Sequence, residues 1–222
     1  MTGTRQHTSK PSLRAEAARE RLIEAAAEIF LEHGFGMATV DVIAHHAKAS
    51  KKTLYSHFAG KEEIFVAAVE RLCQRTLAPL HQLDIQGDDP EALLVEFGTR
   101  LLAQVLAPEA IALHRVAISE ATRFPDLARL FYRTGPAMVQ RILSERLAAL
   151  RESGRLRLDD SGRIASLFIQ MVLGEAQRKT ALAVAPPPTA NEARRHAAAV
   201  ARLLLRALPN DCGGLGRVVP GV

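Results

Sequence analysis

A short stretch near the N-terminus, ASKKTLYSHFAGK (residues 49–61), gathers side chains suited to binding a polyanion. Lysines contribute counterion release and can donate to guanine, and hydroxyl and imidazole groups donate to phosphate oxygens. Leu54 and Phe58 are four residues apart, so a helix here would bury both on one side. The opposite side would carry no acidic group; its members are Lys51, Lys52, Thr53, Ser56 and His57, with Tyr55 partly outward. Taken alone, an ordinary exposed helix with two lysines explains the stretch equally well.

A polyanion-binding helix face requires a short helix with a defined start. It also requires neighbouring helices against which the apolar side of that helix can pack. Ser50 can cap a helix over 51–58, and Thr39 can cap another short helix immediately before it. Longer helices are predicted on both sides, over 14–33 and from residue 61 to about 77. Two short helices joined by a tight turn and braced on both sides predict a helix-turn-helix.

The first long helix carries a regular row of acids. Glutamates recur at four-residue spacing along one side, at Glu16, Glu20, Glu24, Glu28 and Glu32. We interpret this row as a solvated helix face, and we expect Gly34 to end the helix.

The composition favours an all-α protein and excludes several other classes. The 222 residues are 48% hydrophobic and 24% charged, with helix formers dominant and few β-branched clusters. A net charge of +5 permits an anionic partner. The two cysteines, Cys73 and Cys212, show neither a disulfide framework nor zinc spacing, so we predict no metal site and no cofactor. No apolar run could span a bilayer and no signal peptide is evident, so we expect a cytoplasmic protein without a membrane partner.

The rest of the chain alternates helical patterns with Pro and Gly breakers. Further helices are predicted over about 90–107, 108–124, from 125, from 136 to about 153, 159–183 and 193–208. The predicted organisation is a flexible basic arm (1–13), a helix-turn-helix domain (14–60), a larger helical domain (61–208) and a flexible tail (209–222).

The segment RLIEAAAEIFLEHGFGMATVDVIAHHAKASKKTLYSHFAGKEEIFVAAV (21–69) resembles the DNA-binding domain of the TetR/AcrR family of one-component repressors. The features match in order: A-x-x-x-F-x-x-x-G-F, T-V-x-x-I-A, A-x-x-S-x-x-T-L-Y-x-x-F and then K-E. Residues 118–136 resemble, more weakly, the ligand-domain pattern of one subset of the family. The resemblance implies an N-terminal three-helix DNA-binding domain followed by a larger helical domain for effector binding and dimerisation.

The resemblance also implies which residues contact double-stranded DNA. They are Thr39, Lys48, Ser50, Lys51, Lys52, Thr53, Tyr55, His57 and Lys61. Ser50 to Thr53 would face the groove, while Thr39, Tyr55, His57 and Lys61 would contact phosphates. Lys48 and Lys52 stand where the family often has Gly, and Ser56 replaces a more common aromatic residue or His, so the operator sequence is not predictable.

The last two predicted helices are candidates for a homodimer face. Their apolar stripes are Ile164, Leu167, Phe168, Met171 and Val172 on one, and Val200, Leu203, Leu204 and Ala207 on the other. Burial in the core of one chain would explain them too, but the resemblance implies that these helices pair with their copies.

The middle helices are expected to enclose a small, mostly apolar effector. The predicted ligand-binding residues are Phe97, Leu101, His114, Ile118, Phe131, Met138, Phe168 and Met171. Each of them taken singly is better explained as a core residue than as a ligand contact. His114 is distinctive as a polar group on an apolar helix, although a buried histidine with satisfied hydrogen bonds is the more common explanation.

Three other functions compete with a ligand-responsive repressor. An enzyme is disfavoured because no metalloprotease, serine hydrolase, P-loop or dinucleotide motif is present. A redox-responsive regulator would act through Cys73, although a small buried hydrophobe explains that residue better. The third is a small-molecule-binding dimer with weakened DNA binding, which Lys48 and Lys52 leave open.

Overall fold

The computed structural model describes residues 10–83 and 89–208, and the regular structure within them is entirely helical. This confirms the predicted all-α fold. The helices are α1 (Lys10–Met37), α2 (Val40–His46), α3 (Lys51–His57), α4 (Lys61–His81), α5 (Pro90–Val105), α6 (Pro108–Glu120), α7 (Pro125–Thr134), α8 (Pro136–Glu152), α9 (Ser161–Ala181) and α10 (Ala190–Ala207).

The structure describes only part of the predicted N-terminal arm and none of the predicted C-terminal tail. α1 begins at Lys10, four residues before the start that the sequence predicted, so the last residues of the predicted arm are helical. Residues 1–9 of the arm and all of the predicted tail, 209–222, lie outside the described residues.

Local capping chemistry sets most helix starts, as the sequence predicted. Thr39 Oγ1 accepts from the Val42 N–H at 3.3 Å, and Ser50 Oγ accepts from the Thr53 N–H at 3.0 Å. Proline occupies the first position of α5, α6 and α7, where its missing N–H leaves no bond unmade. α10 starts earlier than the predicted residue 193, because Thr189 and Glu192 form a reciprocal capping box.

The chain forms two compact units that interleave along the sequence. The first contains the described residues up to Pro79, together with Gln104–Met138 and Gln177–Pro187. The second contains the described parts of Leu80–Ala103, Val139–Ala176 and the residues from Pro188 onward. The predicted boundary at residue 60 was drawn between functions, which these packing units do not test, and it stays a prediction.

An aromatic cluster lies at the centre of the first unit. Phe35 is 1% exposed, and its ring centroid lies 4.9 Å from that of Phe65 and 4.7 Å from that of Phe124. Both pairs are edge-to-face, the arrangement that aromatic quadrupoles favour. Phe35 reaches this core because Gly34, with φ 74° and ψ 168°, interrupts α1 just before it. Gly34 therefore ends the regular helix, as predicted, and redirects the chain toward α2.

The second unit packs α5 closely against α9 and α10. A Cβ added to Gly98 would lie 2.9 Å from Cβ of Ala197 and 3.1 Å from Cζ of Phe168, so only Gly fits there. Phe168 is fully buried beside this contact. Small residues on α5 and α10 thus allow these helices to approach one another around one aromatic ring.

Within the described residues, no single helix is long and apolar enough to cross a membrane, although the consecutive helices α5 and α6 together reach that length and hydropathy.

Candidate nucleic-acid interface

The turn between α2 and α3 has a left-handed residue at Lys48, with φ 52°. The Lys48 N–H donates to the His45 carbonyl at 3.0 Å and the Ala49 N–H to the Ala44 carbonyl at 2.9 Å. These are the two bonds of a Schellman motif, in which Gly usually occupies the left-handed position. The site is therefore left-handed despite the replacement of Gly by Lys, and the turn tolerates that strain of about 1 kcal/mol.

α3 separates its residues into a buried and an exposed side. Leu54 and Phe58 are 0% and 2% exposed, which confirms that they anchor the helix. The exposed side carries Lys51, Lys52, Tyr55 and Ser56, and Tyr55 is 56% exposed. Thr53 and His57 are half-buried, so they are less outward than the sequence spacing predicted.

The hydroxyl groups of α3 are held by local hydrogen bonds. Ser50 Oγ lies 2.9 Å from Thr53 Oγ1 in addition to capping the helix. Ser56 Oγ donates to the Thr53 carbonyl at 2.7 Å. A hydroxyl combines one donor with two acceptor positions, so each side chain keeps hydrogen-bonding capacity for a further partner, but from a fixed position.

Lys51 and Lys61 make different contacts, although both begin a helix. Lys51 Nζ lies 2.6 Å from Asp41 Oδ1, and both side chains are 61% exposed. Lys61 is half-buried, and its Nζ donates to the carbonyls of Phe35 at 2.9 Å and Ala38 at 3.1 Å. It also lies 4.4 Å from the Phe35 ring centroid, a cation–π distance.

These contacts make Lys61 a structural residue of the α1–α2 connection. Its ammonium lies within 3.5 Å of a third carbonyl, that of Gly36, so its donors are directed at the backbone. The phosphate contact predicted for the Lys61 side chain would require it to leave these carbonyls. A second side chain also holds the α1–α2 connection, because Glu120 Oε1 accepts from the Gly36 N–H at 2.9 Å. Neither role could be predicted from the sequence, because each partner is distant along the chain.

The acid row of α1 is exposed to solvent, as interpreted, and three of its members also contact other helices. Arg71 of α4 pairs with Glu20 and Glu24, and Glu28 Oε2 lies 2.5 Å from His46 Nε2 of α2. Arg75 connects Glu24 to Glu109 at the start of α6. Through these contacts the row connects α1 to α2, α4 and α6.

The predicted ligand-binding residues are divided between the two units. Phe97, Leu101 and Phe168 are buried in the second unit, where Met171 is 39% exposed. In the first unit, Phe131 and Met138 are half-buried and Ile118 is 62% exposed.

His114 is the polar member of that set, and it lies in the first unit. Its ring centroid is 6.1 Å from that of Phe131. Burial lowers the pKa of His114, which favours the neutral imidazole with one donor and one acceptor nitrogen. Its role as a ligand contact stays a prediction.

Cys73 is buried, at 6% exposure. Burial raises the pKa of its thiol, an effect that the hydrogen bond from Thr134 partly opposes. The thiolate is the reactive form, so this environment disfavours reaction at neutral pH. Cys212 lies outside the described residues, and among those described no group of three or more His, Cys, Asp or Glu side chains could hold a metal ion.

Comparison with known families gives one match in the N-terminal part of the chain and another in the C-terminal part. Residues 22–68 match the model for bacterial regulatory proteins of the tetR family. Residues 92–208, more than half of the chain, match the model for the C-terminal domain of AefR-like transcriptional repressors. The chain belongs to the TetR family of transcriptional regulators.

Relatives extend this similarity over most of the regulator. It is 29% identical over 167 residues to the HTH-type transcriptional regulator TcmR of Streptomyces glaucescens, covering 72% of each chain. The structure of a TetR-family regulator from Mesorhizobium loti is 25% identical, with a TM-score of 0.73 over 87% of this chain and 97% of that one. The structure of the Flavonoid-responsive Regulator FrrA is 28% identical, with a TM-score of 0.73 over 89% and 100% of the two chains. The protein is thus a transcriptional regulator and not an enzyme.

The contacts of Lys61 predict that Lys61→Met destabilises the regulator. The substitution leaves partly buried carbonyls without a donor, which costs about 1–3 kcal/mol of the free energy of unfolding. Urea unfolding followed by circular dichroism measures this. Lys52→Met, on the exposed side of α3, is the control and should change stability by no more than about 0.5 kcal/mol. Equal stabilities for the two variants would show that Lys61 does not hold the α1–α2 connection.

Proposed function

We propose that this regulator is a ligand-responsive repressor that binds a palindromic DNA operator as a homodimer and is released by a small, mostly apolar effector. The observation that carries DNA binding is the exposed side of α3. It presents Lys51, Lys52, Tyr55 and Ser56 without an acidic side chain, while Leu54 anchors the opposite side. Repression is supported by the AefR-like repressor model that the C-terminal part matches. Because the operator is chromosomal DNA, the proposed place of action is the cytoplasm.

In this proposal α3 is the recognition helix in the major groove. Lys51 and Lys52, at its N-terminal end, contact bases, and Ser50 and Thr53 approach the same groove. Tyr55, His57, Thr39 and Lys48 contact phosphates around it. Lys61 acts mainly through the α1–α2 connection, since its ammonium is directed at carbonyls.

DNA binding is tested on duplexes selected from a random-sequence library by repeated rounds of binding to the protein. Lys51→Ala and Lys52→Ala should each lower affinity for the selected operator, relax its base preference and reduce the magnitude of the slope of log K against log salt by up to about 0.9. Tyr55→Phe, which removes one phosphate donor, should weaken binding roughly fivefold. Fluorescence anisotropy at several salt concentrations measures all three.

Arg129→Ala is the control for that series, because it removes an exposed cation from α7. It should leave both affinity and salt slope close to the wild type. If the library yields no preferred sequence, or if Arg129→Ala matches the α3 variants, the recognition-helix assignment is wrong.

Dimerisation is proposed through the exposed parts of α9 and α10. The predicted stripes divide in the structure: Phe168, Val172, Val200 and Leu204 are buried within the chain, whereas Leu167, Met171 and Leu203 are 45%, 39% and 59% exposed. Leu167 and Met171 are four residues apart, and Gly174 follows on the same side with no atom within 4 Å of an added Cβ. An exposed apolar strip on adjacent helices is typical of a self-associating surface.

Met171→Glu combined with Leu203→Glu should therefore convert the dimer to a monomer. Charges on this strip would be buried without partners in the dimer but would remain solvated in the monomer. Analytical ultracentrifugation measures the change, and operator affinity should fall by at least about tenfold because the two half-sites are no longer bound together. Tyr132→Glu, at another exposed apolar side chain, should stay dimeric. If the variant with both Met171→Glu and Leu203→Glu stays dimeric, this surface is not the dimer interface.

The proposed effector is a planar aromatic compound of the flavonoid class. FrrA, with 28% identity, is named as flavonoid-responsive, and this chain has a neutral imidazole beside an aromatic ring, His114 with Phe131. Such a pair can stack against an aromatic ligand and hydrogen-bond its hydroxyl group.

A panel of flavonoids, compared with hexose sugars, tests this assignment. Flavonoids should lower operator affinity, and His114→Leu should raise the flavonoid dissociation constant by about tenfold, as isothermal titration calorimetry would measure. His81→Leu is the matched control and should bind like the wild type. The assignment would be contradicted if sugars rather than flavonoids lowered operator affinity. It would also be contradicted if His114→Leu and His81→Leu lost flavonoid affinity equally.

The competing functions have less support. The buried Cys73 thiol, with its raised pKa, makes an oxidation sensor unfavourable. A dimer with weakened DNA binding is disfavoured because Lys48 and Lys52 are exposed and add cations beside α3.

A further inference from the structure

One acidic side chain lies within the basic surface formed by α2 and α3. From Thr39 to Lys61 the sequence contains a single acidic residue, Asp41. Its Oδ1 lies 2.6 Å from Lys51 Nζ, so an ion pair connects the first turn of α2 to the first residue of α3. In the part of the chain that the structure describes, neither Lys48 nor Lys52 has such a partner.

This ion pair is not what holds the two helices together. Both side chains are 61% exposed, and water and salt screen a pair at that exposure, so it adds little to stability. The buried side chains of Ile43, Leu54 and Phe58 fix α2 and α3 instead. The main effect of Asp41 is therefore on what Lys51 can bind.

We propose that Asp41 is a specificity-determining residue, which neutralises Lys51 in the free protein and so suppresses binding to arbitrary DNA. This inference rests on the proposed recognition by α3. Nonspecific binding is driven almost entirely by lysine and arginine replacing counterions at phosphates. Lys51 must leave Asp41 before it can do this fully, and the carboxylate itself repels nearby phosphates.

The operator reduces this penalty in a way that arbitrary DNA does not. In the major groove a carboxylate can accept a hydrogen bond from the N4 amino group of cytosine, while a lysine donates to guanine O6 or N7. If the operator places a cytosine and a guanine beside α3, Asp41 can exchange Lys51 for the cytosine amino group. Lys51 can then exchange Asp41 for guanine O6 or N7. A duplex without them leaves the Asp41 carboxylate facing phosphates, so Asp41 widens the gap between operator and nonspecific affinity.

The test compares Asp41→Asn with Asp126→Asn. Each substitution removes one negative charge from the first turn of a helix and from an exposed ion pair, with Lys51 and with Arg129 respectively. The probes are a labelled duplex of scrambled sequence and the operator selected from the library. Anisotropy titrations over a range of potassium chloride concentrations give affinities and salt slopes, and thermal unfolding checks that both variants are folded.

Asp41→Asn should strengthen binding to the scrambled duplex by about threefold to tenfold at about 0.1 M salt and steepen the salt slope by up to about 0.9. Operator affinity should rise by less, so the ratio of operator to scrambled affinity should fall. Asp126→Asn should leave that ratio and both slopes unchanged. In a Lys51→Ala background, the effect of Asp41→Asn should be clearly smaller, because only the direct repulsion between the carboxylate and phosphates is left to remove.

The outcomes separate this inference from the proposed function. If Asp41→Asn and Asp126→Asn behave alike while the wild type binds its operator, Asp41 has no special role and DNA binding stands. If the Asp41→Asn effect persists undiminished without Lys51, the pairing mechanism is overturned. If the wild type shows no salt-dependent binding to either duplex, the proposed function fails and this inference fails with it.

Discussion

The position of the DNA-binding helices depends on how the chain leaves α1. Gly34 adopts a backbone conformation that other residues rarely reach, and this turns Phe35 into the aromatic core. The burial of Phe35 places the backbone carbonyl and N–H groups next to it in a partly dry environment, where each needs a hydrogen-bond partner. Lys61 from α4 supplies donors for the carbonyls, and Glu120 from α6 supplies an acceptor for the Gly36 N–H. α2 and α3, seven residues each, therefore take their orientation from long helices.

The charges of the first unit serve two different purposes. Half-buried or multiply paired charges, such as Lys61 and Arg71, connect helices that are distant in sequence. Exposed charges on α2 and α3 contribute little to the fold and remain available to a partner. Both kinds are lysine, arginine, glutamate or aspartate, so the environment and not the residue type decides the purpose.

This distinction explains what the sequence could predict. Helix starts depend on local chemistry, and Thr39, Ser50 and the helix-starting prolines identified them correctly. The anchoring side of α3 followed from a four-residue spacing. The partners of Lys61 and of the α1 glutamates could not be predicted, because they are 18 to 51 residues away and depend on helix packing. The ligand-binding residues remain predictions for the same reason: hydrophobic spacing identifies a buried face but not which helix covers it.

Lys48 gives this family member a property that a glycine at the same turn would not have. Its left-handed backbone is a source of strain, and in the proposed function its exposed ammonium attracts DNA. The proposal therefore predicts that replacing Lys48 changes folding stability and DNA affinity in opposite directions. Selection of this protein for heat resistance would favour glycine at residue 48, and selection for tight operator binding would favour lysine.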